Sequence, residues 1–316
     1  MLAKFVLTRL VETIPVLLLS SLLVFAILHL IPGDPIDAML GAAAFGVGDP
    51  AEHQRLVTQI RTQLGLDDPL WQQYVRWLFG AVRLDLGESF IRHAPVTELI
   101  AARLPSTIEL AVAALLISVV IGVSAGIIAA LRRNTPVDSA VMLVSLAGVS
   151  MPSFWSAMIL ILVFSVSLNL VPATGSGGFD RLILPAIVLG YEGAALIARL
   201  TRASLLEVLS REYIRTARAK GLPRRSVVLG HAMRNALIPV VTVVGLQLGR
   251  LLAGSVIVET VFARQGVGQL AVDAILSKDY PLVQGIILLT AITYVFANLL
   301  VDVSYGFLNP RIRTAA

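Results

Sequence analysis

Long apolar runs separated by short charged stretches are the dominant pattern along this chain. Six runs approach the roughly 20 residues that a helix needs to cross a bilayer, at positions 10–31, 109–131, 139–170, 182–200, 236–258 and 282–301. Inside a bilayer no water is present to bind backbone N–H and C=O groups, so each run should be helical. The pattern predicts an all-α integral membrane protein with six transmembrane helices.

Composition excludes a soluble fold and several kinds of chemistry. Of 316 residues, 57% are hydrophobic and only 14% are charged, and the mean hydropathy is +0.84, as is typical of membrane proteins. The chain has no cysteine, which excludes disulfides, thiolate metal sites and thiol catalysis. The net charge of +5 comes from basic residues that alternate with the apolar runs. That pattern indicates membrane orientation rather than nucleic-acid binding.

The positions of lysine and arginine predict the topology. Arg132 and Arg133 follow the second run, eight basic residues separate the fourth from the fifth, and Arg311 and Arg313 follow the sixth. If the runs alternate in direction, all of these residues lie on one side, which should be cytoplasmic. Both termini are then cytoplasmic, and residues 32–104 are external. The first run is long enough to span, and the small residues at 42–44 lie well past it, so an uncleaved helix is favoured over a signal peptide.

The external segment 32–104 should itself contain helices. Residues 49–52 have the form of a capping box with proline at the first helical position, and Gly65 can end the helix that follows. A second helix is predicted from Pro69 to near Gly80. One side of this helix carries Trp71, Val75 and Leu78. It could lie at the membrane interface, where tryptophan is enriched, or belong to a small folded cap on the spans.

A short basic segment, residues 211–221, interrupts the apolar pattern between the fourth and fifth runs. Ser210 is a candidate N-cap, Gly221 suits the position after a helix end, and Pro223 prevents continuation. The apolar positions Tyr213, Ile214 and Ala217 share one face of this helix. Such a helix outside the bilayer is either a docking element for a cytoplasmic partner or a solvated loop helix that only sets topology.

Two ionisable residues lie inside predicted spans, which is costly and by default marks a pathway or a partner. Glu192 is in the fourth run, and Arg250 is about midway along the fifth. They could face a water-filled passage and meet the charged ends of a substrate, or pair structurally with each other or with a second subunit. Pro152 should bend the third span, and the bend could serve gating or be static.

Motifs for catalysis are missing from the sequence. The chain has no G-x-x-x-x-G-K-[ST] phosphate loop, so it should not hydrolyse ATP itself. It has no H-E-x-x-H or G-x-S-x-G motif, and its four histidines lack metal-ligand spacing. No cofactor is therefore expected in this chain.

Seven motifs spread over the whole chain carry a family resemblance. They are 30–35 (LIPGDP), 85–87 (DLG), 184–190 (LPAIVLG), 213–221 (YIRTARAKG), 231–239 (HAMRNALIP), 279–281 (DYP) and 309–313 (NPRIR). Together they resemble the inner-membrane permease subunits of binding-protein-dependent ATP-binding-cassette (ABC) importers, in the dipeptide/oligopeptide/nickel branch. The resemblance implies the type I importer permease fold in a bacterial cytoplasmic (inner) membrane.

The resemblance also implies a role for the basic segment. In this family a cytoplasmic coupling helix sits in a groove on the ATPase subunit, and here it would comprise Tyr213, Ile214, Arg215, Thr216, Ala217, Arg218, Ala219, Lys220 and Gly221. The broader superfamily carries an E-A-A-x-x-x-G loop at this place. Arg215 replaces its glutamate, and the proline that usually follows is displaced to Pro239. Both departures resemble those of the peptide branch.

The partners and substrates are likewise implied by the resemblance. They are a second, homologous permease subunit forming a heterodimer, two ABC ATPase subunits that hold ATP and Mg²⁺, and an extracytoplasmic substrate-binding protein, with no nucleic acid. Residues 1–31 would form the N-terminus and first span, 32–104 the external segment, and 105–316 the core permease domain. Short peptides are the expected substrates, with glutathione, opines and nickel complexes as alternatives. A stand-alone ion-coupled carrier is the competing class, although the chain shows no internal repeat of the kind that many carriers have.

Overall fold

The computed structural model describes residues 2–30, 36, 54–55, 57–59, 61–62 and 65–308. Within these residues the chain is helical and contains no β-strand, only an isolated bridge between Glu88 and Pro95. The predicted capping box at 49–52, the small residues at 42–44, most of the motif at 30–35 and the motif at 309–313 lie outside the described residues.

The main helices follow the predicted apolar runs. In chain order they are α1 (Leu2–Leu30), α2 (Leu70–Val82), α3 (Val96–Leu131), α4 (Pro136–Ser150), α5 (Ser153–Leu160, continued as a π-helix over Ile161–Ser167), α6 (Asp180–Leu209), α7 (Glu212–Ala219), α8 (Arg224–Ser226), α9 (Met233–Ala236, joined to α8 by the π-helix Val227–Ala232), α10 (Ile238–Gly254), α11 (Val256–Val261), α12 (Val267–Leu276) and α13 (Tyr280–Leu308).

Among the described residues, three helices are long and apolar enough to cross a membrane without a break, and two bent pairs raise the number to five. The unbroken ones are α3, α6 and the Tyr280–Leu300 part of α13. The first pair joins α4 to α5, and the second joins the segment Arg224–Ala236 to α10. The first predicted span lies in α1, where Val11–Ile27 is a shorter apolar stretch. An integral membrane fold is therefore confirmed, and the count of six spans stays a prediction.

Helix α3 begins earlier than the second apolar run, which starts at residue 109. The helix starts at Val96 after Pro95, so the predicted boundary between external segment and core, at residues 104–105, falls inside it. Charged residues such as Glu98 and Arg103 lower the local hydropathy there. Val96 and Ile100 are nonetheless buried against α12 and α13, because packing on other helices can continue a helix beyond the bilayer.

Helices α3 and α6 cross at close range through glycines. A Cβ atom on Gly126 would lie 2.6 Å from the carbonyl oxygen of Ala198, and one on Gly122 would lie 2.7 Å from Cβ of Ile197. Small residues let two membrane helices approach until their backbones are in contact. This crossing holds α6 against α3 at residues 194–201.

Two motifs of the family resemblance meet at the start of α13. The side-chain hydroxyl of Ser89 donates to the buried carboxylate of Asp279, which also accepts from the backbone N–H of Phe90 at 3.2 Å. Leu86, from the motif at 85–87, packs on the apolar cluster that contains Tyr280. The end of the external segment is thus part of the folded core rather than a separate module.

The second external helix, α2, packs on α1 and also exposes apolar side chains. The Tyr74 hydroxyl is 2.9 Å from Oγ of Ser21, and its ring meets Phe25 edge-on. Trp71 remains 65% exposed, and Val75 and Phe79 are exposed too. The helix therefore combines the two predicted alternatives: it is packed on a span, and it keeps an apolar face that could contact lipid.

Candidate functional site

The basic segment forms α7, but it is capped differently from the prediction. The N-cap residue is Arg211, and Ser210 does not cap, because its hydroxyl donates to the carbonyl of Glu207 in the last turn of α6. The prediction of Ser210 as N-cap was therefore wrong. Gly221 follows the helix with φ +77°, a left-handed conformation that favours glycine.

The apolar side of α7 is buried within this chain. Ile214 is 0% exposed and Ala217 is 8% exposed. They pack with Ala130 at the end of α3, Leu205 on α6 and Met233 on α9. These two residues hold α7 in place and present no surface to a partner.

Polar contacts add to this attachment. The Asn235 side-chain amide donates to the Tyr213 hydroxyl at 2.8 Å. Arg224 donates to the carbonyl oxygen of Leu131, the last residue of α3, at 3.2 Å. Through the apolar cluster and these bonds, α7 and the α8 segment after it are attached to the ends of α3 and α6 and to the segment that leads into α10. A displacement of α7 would therefore act on three membrane helices together.

The opposite side of α7 is exposed and basic. Of the residues expected to form the coupling helix, the exposed ones are Tyr213, Arg215, Thr216, Arg218, Ala219, Lys220 and Gly221. Arg224 and Arg225, which follow the turn, are exposed as well. This surface is the only part of α7 that another subunit could contact.

The two charged residues predicted inside spans form a pair. Nη2 of Arg250 on α10 lies 3.2 Å from Oε1 of Glu192 on α6. Neither side chain is enclosed, because 62% of the Arg250 side chain and 41% of the Glu192 side chain are exposed. The structure brings the predicted residues together, and both also line a cavity of about 100 Å³.

The wall of this cavity includes a buried amide. Gln247, one turn before Arg250 and 5% exposed, donates through Nε2 to Oγ of Ser118 at 3.0 Å. Ser118 uses its own hydrogen on backbone carbonyls of Ala114 or Gly190, which fixes the amide orientation. The other amide atom, Oε1 of Gln247, has no hydrogen-bond partner among the described residues.

Pro152 lies at a complete break rather than within a bent helix. Helices α4 and α5 meet at 107°, and Pro152 is the N-cap residue of α5. Proline cannot donate its nitrogen to the preceding turn, so α4 ends before it. The break places Ser153, the first residue of α5, in the cavity wall beside Glu192 and Arg250.

A buried polar cluster near the start of α3 was missed by sequence reasoning. Glu259 on α11 and Arg264 after it are both 0% exposed. Arg264 donates to Glu109 at 2.5 Å and to the carbonyl of Ser106 at 3.3 Å. Residues 259–281 lie between the fifth and sixth apolar runs, and no periodic signal in the sequence marks the burial of Glu259 and Arg264. Within the described part of the chain, no three His, Asp or Glu side chains converge as metal ligands.

Comparison with known proteins identifies the family. Residues 122–314 match the model described as binding-protein-dependent transport system inner membrane component. Residues 1–111 match the model for the N-terminal membrane component of the same systems. The two matches together cover nearly the whole chain.

Curated relatives align over their full length. The dipeptide transport system permease protein DppB of Escherichia coli K12 is 42% identical over 341 aligned positions, covering 98% of each chain. The glutathione transport system permease protein GsiC of the same strain is 43% identical over 310 positions, covering 98% of this chain and 99% of the relative.

Solved structures show the same fold at lower identity. A chain of the MetNI methionine ABC transporter, in an inward-facing conformation, aligns with a TM-score of 0.57 and 19% identity over 67% of this chain and 96% of its own length. A chain of an amino acid ABC transporter aligns with a TM-score of 0.51 and 16% identity. The helical architecture is thus that of a type I importer permease. Taken with the family match and the full-length relatives, it shows that this multi-pass inner-membrane chain belongs to the permease subunits of binding-protein-dependent ABC importers, in their peptide branch.

Proposed function

We propose that this chain is one of two homologous permease subunits that together enclose the passage of an ATP-driven importer of short peptides. The observation that carries the proposal is the construction of α7. Its apolar side, Ile214 and Ala217, is buried against α3, α6 and α9, whereas its basic side is free. If a partner subunit displaces a helix attached in this way, the membrane helices packed against it are displaced as well.

The force would come from two ATPase subunits on the cytoplasmic side. They would hold ATP and Mg²⁺, and the exposed side of α7 would sit in a groove on one of them. ATP can shift the transporter between inward-open and outward-open states only by favouring one of them, and α7 would transmit that preference. The spans would then move as rigid bodies. Both chain termini and α7 lie in the cytoplasm in this arrangement.

The external side would receive the substrate from a binding protein. Residues 32–104 are the candidate receiving segment, between the first span at 1–31 and the core domain at 105–316. The contacts of Ser89 and Phe90 with Asp279 support a mechanical connection from this segment to α13. Binding of the loaded receptor could therefore be sensed by the spans.

Short peptides are the proposed cargo because two full-length relatives are named for a dipeptide and for glutathione, itself a small peptide. The charged pair Glu192–Arg250 beside a cavity is consistent with cargo that carries charge at both ends. Glutathione, opines and nickel complexes are the alternatives that a substrate screen would separate.

Reconstitution tests the proposal. The chain is placed in liposomes with its second permease subunit, the ATPase subunits and the binding protein, and uptake of labelled dipeptides is measured. We expect uptake that requires ATP and is blocked by vanadate, and none with this chain alone. Accumulation driven by an ion gradient through the isolated chain would show a stand-alone carrier and overturn the proposal.

A further inference from the structure

The cavity beside Glu192 and Arg250 is lined by groups of opposite charge. Both residues lie within helices predicted to cross the membrane, where an unpaired charge is costly. Their contact is a single one, from Nη2 to Oε1. A guanidinium group has five N–H donors, so most of the hydrogen-bonding capacity of Arg250 is not used on Glu192.

The guanidinium group of Arg250 suits an anion. Ser153, the first residue of α5, lines the same cavity. The first backbone N–H groups of a helix have no partners within it, and here the earliest bonds, from Trp155 and Ser156, go back to the carbonyl of Pro152. The partial positive charge of this helix end adds to that of the guanidinium. A carboxylate in the cavity would be favoured by both the guanidinium group and the helix end.

The carboxylate of Glu192 suits a cation that donates hydrogen bonds. Gln247 lines the same cavity. Its side-chain amide is buried, and its Oε1 accepts no hydrogen bond from the described residues. A buried acceptor without a partner is rare in folded proteins. A Cβ on Gly193 would overlap Nε2 of Gln247, so the absence of a side chain at Gly193 is what admits the amide. An ammonium group could donate to Glu192, whereas Oε1 of Gln247 is enclosed by protein.

We propose that this cavity is a translocation subsite for zwitterions, in which Arg250 and the start of α5 bind a free carboxylate while Glu192 binds a free ammonium group. The inference rests on the proposed function as a peptide importer and adds the chemical class that the passage accepts. The empty site keeps its charges paired with each other, and an arriving zwitterion exchanges one set of partners for another. A ligand with one blocked end would leave one protein charge without a partner at membrane depth, where an unpaired charge is costly.

The test measures binding to the complete transporter in lipid nanodiscs, without the binding protein, so that selection by the receptor does not enter. The probe is alanylalanine, compared with its N-acetylated and C-amidated forms, and binding is followed by saturation-transfer difference NMR. We expect each blocked form to bind about tenfold more weakly than the free dipeptide, the factor that corresponds to about 1.4 kcal/mol.

Two variants and a control make the assignment specific. In Glu192→Gln the penalty for N-acetylation should disappear, while the penalty for C-amidation remains. In Arg250→Ala the opposite pattern is expected. Arg199→Ala, an exposed arginine on α6, should leave both penalties unchanged. A merely structural pair would weaken the binding of all three probes equally, and so would not produce this crossed pattern.

The outcomes separate the subsite from the overall function. Equal binding of free and blocked dipeptides, no binding of alanylalanine, or loss of the second permease subunit in the variants would overturn the subsite. ATP-driven uptake in liposomes together with any of these results would leave the proposed function standing. The crossed pattern without ATP-driven uptake of dipeptides would retain the subsite and overturn the proposed function.

Discussion

Thr107, near the start of α3, donates a hydrogen bond of 2.7 Å to the buried carboxylate of Glu259 on α11. The same carboxylate accepts from the Ser255 hydroxyl at 2.7 Å and from the backbone N–H of Gly268 at 2.8 Å. The Thr107 hydroxyl in turn accepts from the N–H of Val267 at 2.9 Å. One acidic side chain therefore joins α3, α11 and the first turn of α12, where negative charge is favourable.

Replacing Glu259 with glutamine should destabilise the transporter. Oε1 accepts from Thr107 and Ser255, and Oε2 accepts from two backbone N–H groups, those of Gly268 and Gln269. In either orientation of the glutamine amide, its NH₂ group would face two of these donors and could not accept their hydrogen bonds. We expect Glu259→Gln to lower the free energy of unfolding by about 1–3 kcal/mol, measured as the melting temperature of the purified complex. Glu98→Gln, at an exposed position on α3, is the control, and equal melting temperatures for the two variants would contradict the role of Glu259.

The exposed side of α7 should control coupling without affecting folding. Ala219 is exposed and its side chain points away from the buried residues of α7. Ala219→Trp should overfill the proposed groove on the ATPase at a cost of about 1–3 kcal/mol. ATP-driven uptake should then fall while the melting temperature of this chain stays the same. Ala102→Trp, on an exposed position of α3, is the matched control, and normal uptake by Ala219→Trp would count against docking through this surface.

The buried side of α7 should behave in the opposite way. Ala217 is packed among apolar residues of α6 and α9, so Ala217→Arg would bury a charge without a partner. Such burial costs several kcal/mol. We expect this variant to lower the yield and melting temperature of the permease even when no ATPase is present. A well-folded Ala217→Arg protein that only fails to bind the ATPase would show that the buried packing of α7 is wrong.

The glycine crossing of α3 and α6 should not tolerate larger residues. A Cβ atom added to Gly126 would lie 2.6 Å from the Ala198 carbonyl oxygen and 2.6 Å from Cβ of Thr201. Gly126→Val should push the helices apart and lower stability by about 1–3 kcal/mol or more. Ser124→Val, exposed on the same helix, provides the control. Comparable thermal unfolding of both variants would argue against the crossing.

The exposed apolar face of α2 should lie in the lipid headgroup region on the external side of the inner membrane. Trp71, Val75 and Phe79 are exposed on this helix, and amphipathic rings favour the headgroup region. In a Trp77→Phe, Trp155→Phe background, brominated lipids should quench the fluorescence of Trp71. Quenching only by water-soluble iodide would instead indicate that this face is turned to solvent and available to the binding protein.

Apolar runs were sufficient to predict most of the spans, because a helix in lipid must be both long and apolar. Pro152 predicted a bend in the third span but not its angle of 107°, and the bend after Ala236 was not predicted. Proline shows where a helix can end but not the angle at which the next one starts. The apolar runs also missed Glu259 and Arg264, whose burial depends on residues more than a hundred positions away, such as Thr107. Helical periodicity placed Ile214 and Ala217 on one face of α7, but only the fold shows that this face is turned inward.

Side-specific labelling of α7 tests the central claim most directly. Because the chain has no cysteine, the thiol of an Ala219→Cys variant is unique. A membrane-impermeant maleimide should label it in inside-out vesicles and not in intact spheroplasts, and added ATPase subunits should protect it. Ala102→Cys should show the reverse sidedness. Labelling of Ala219→Cys from the external side, or cytoplasmic labelling that the ATPase subunits do not reduce, would contradict the account.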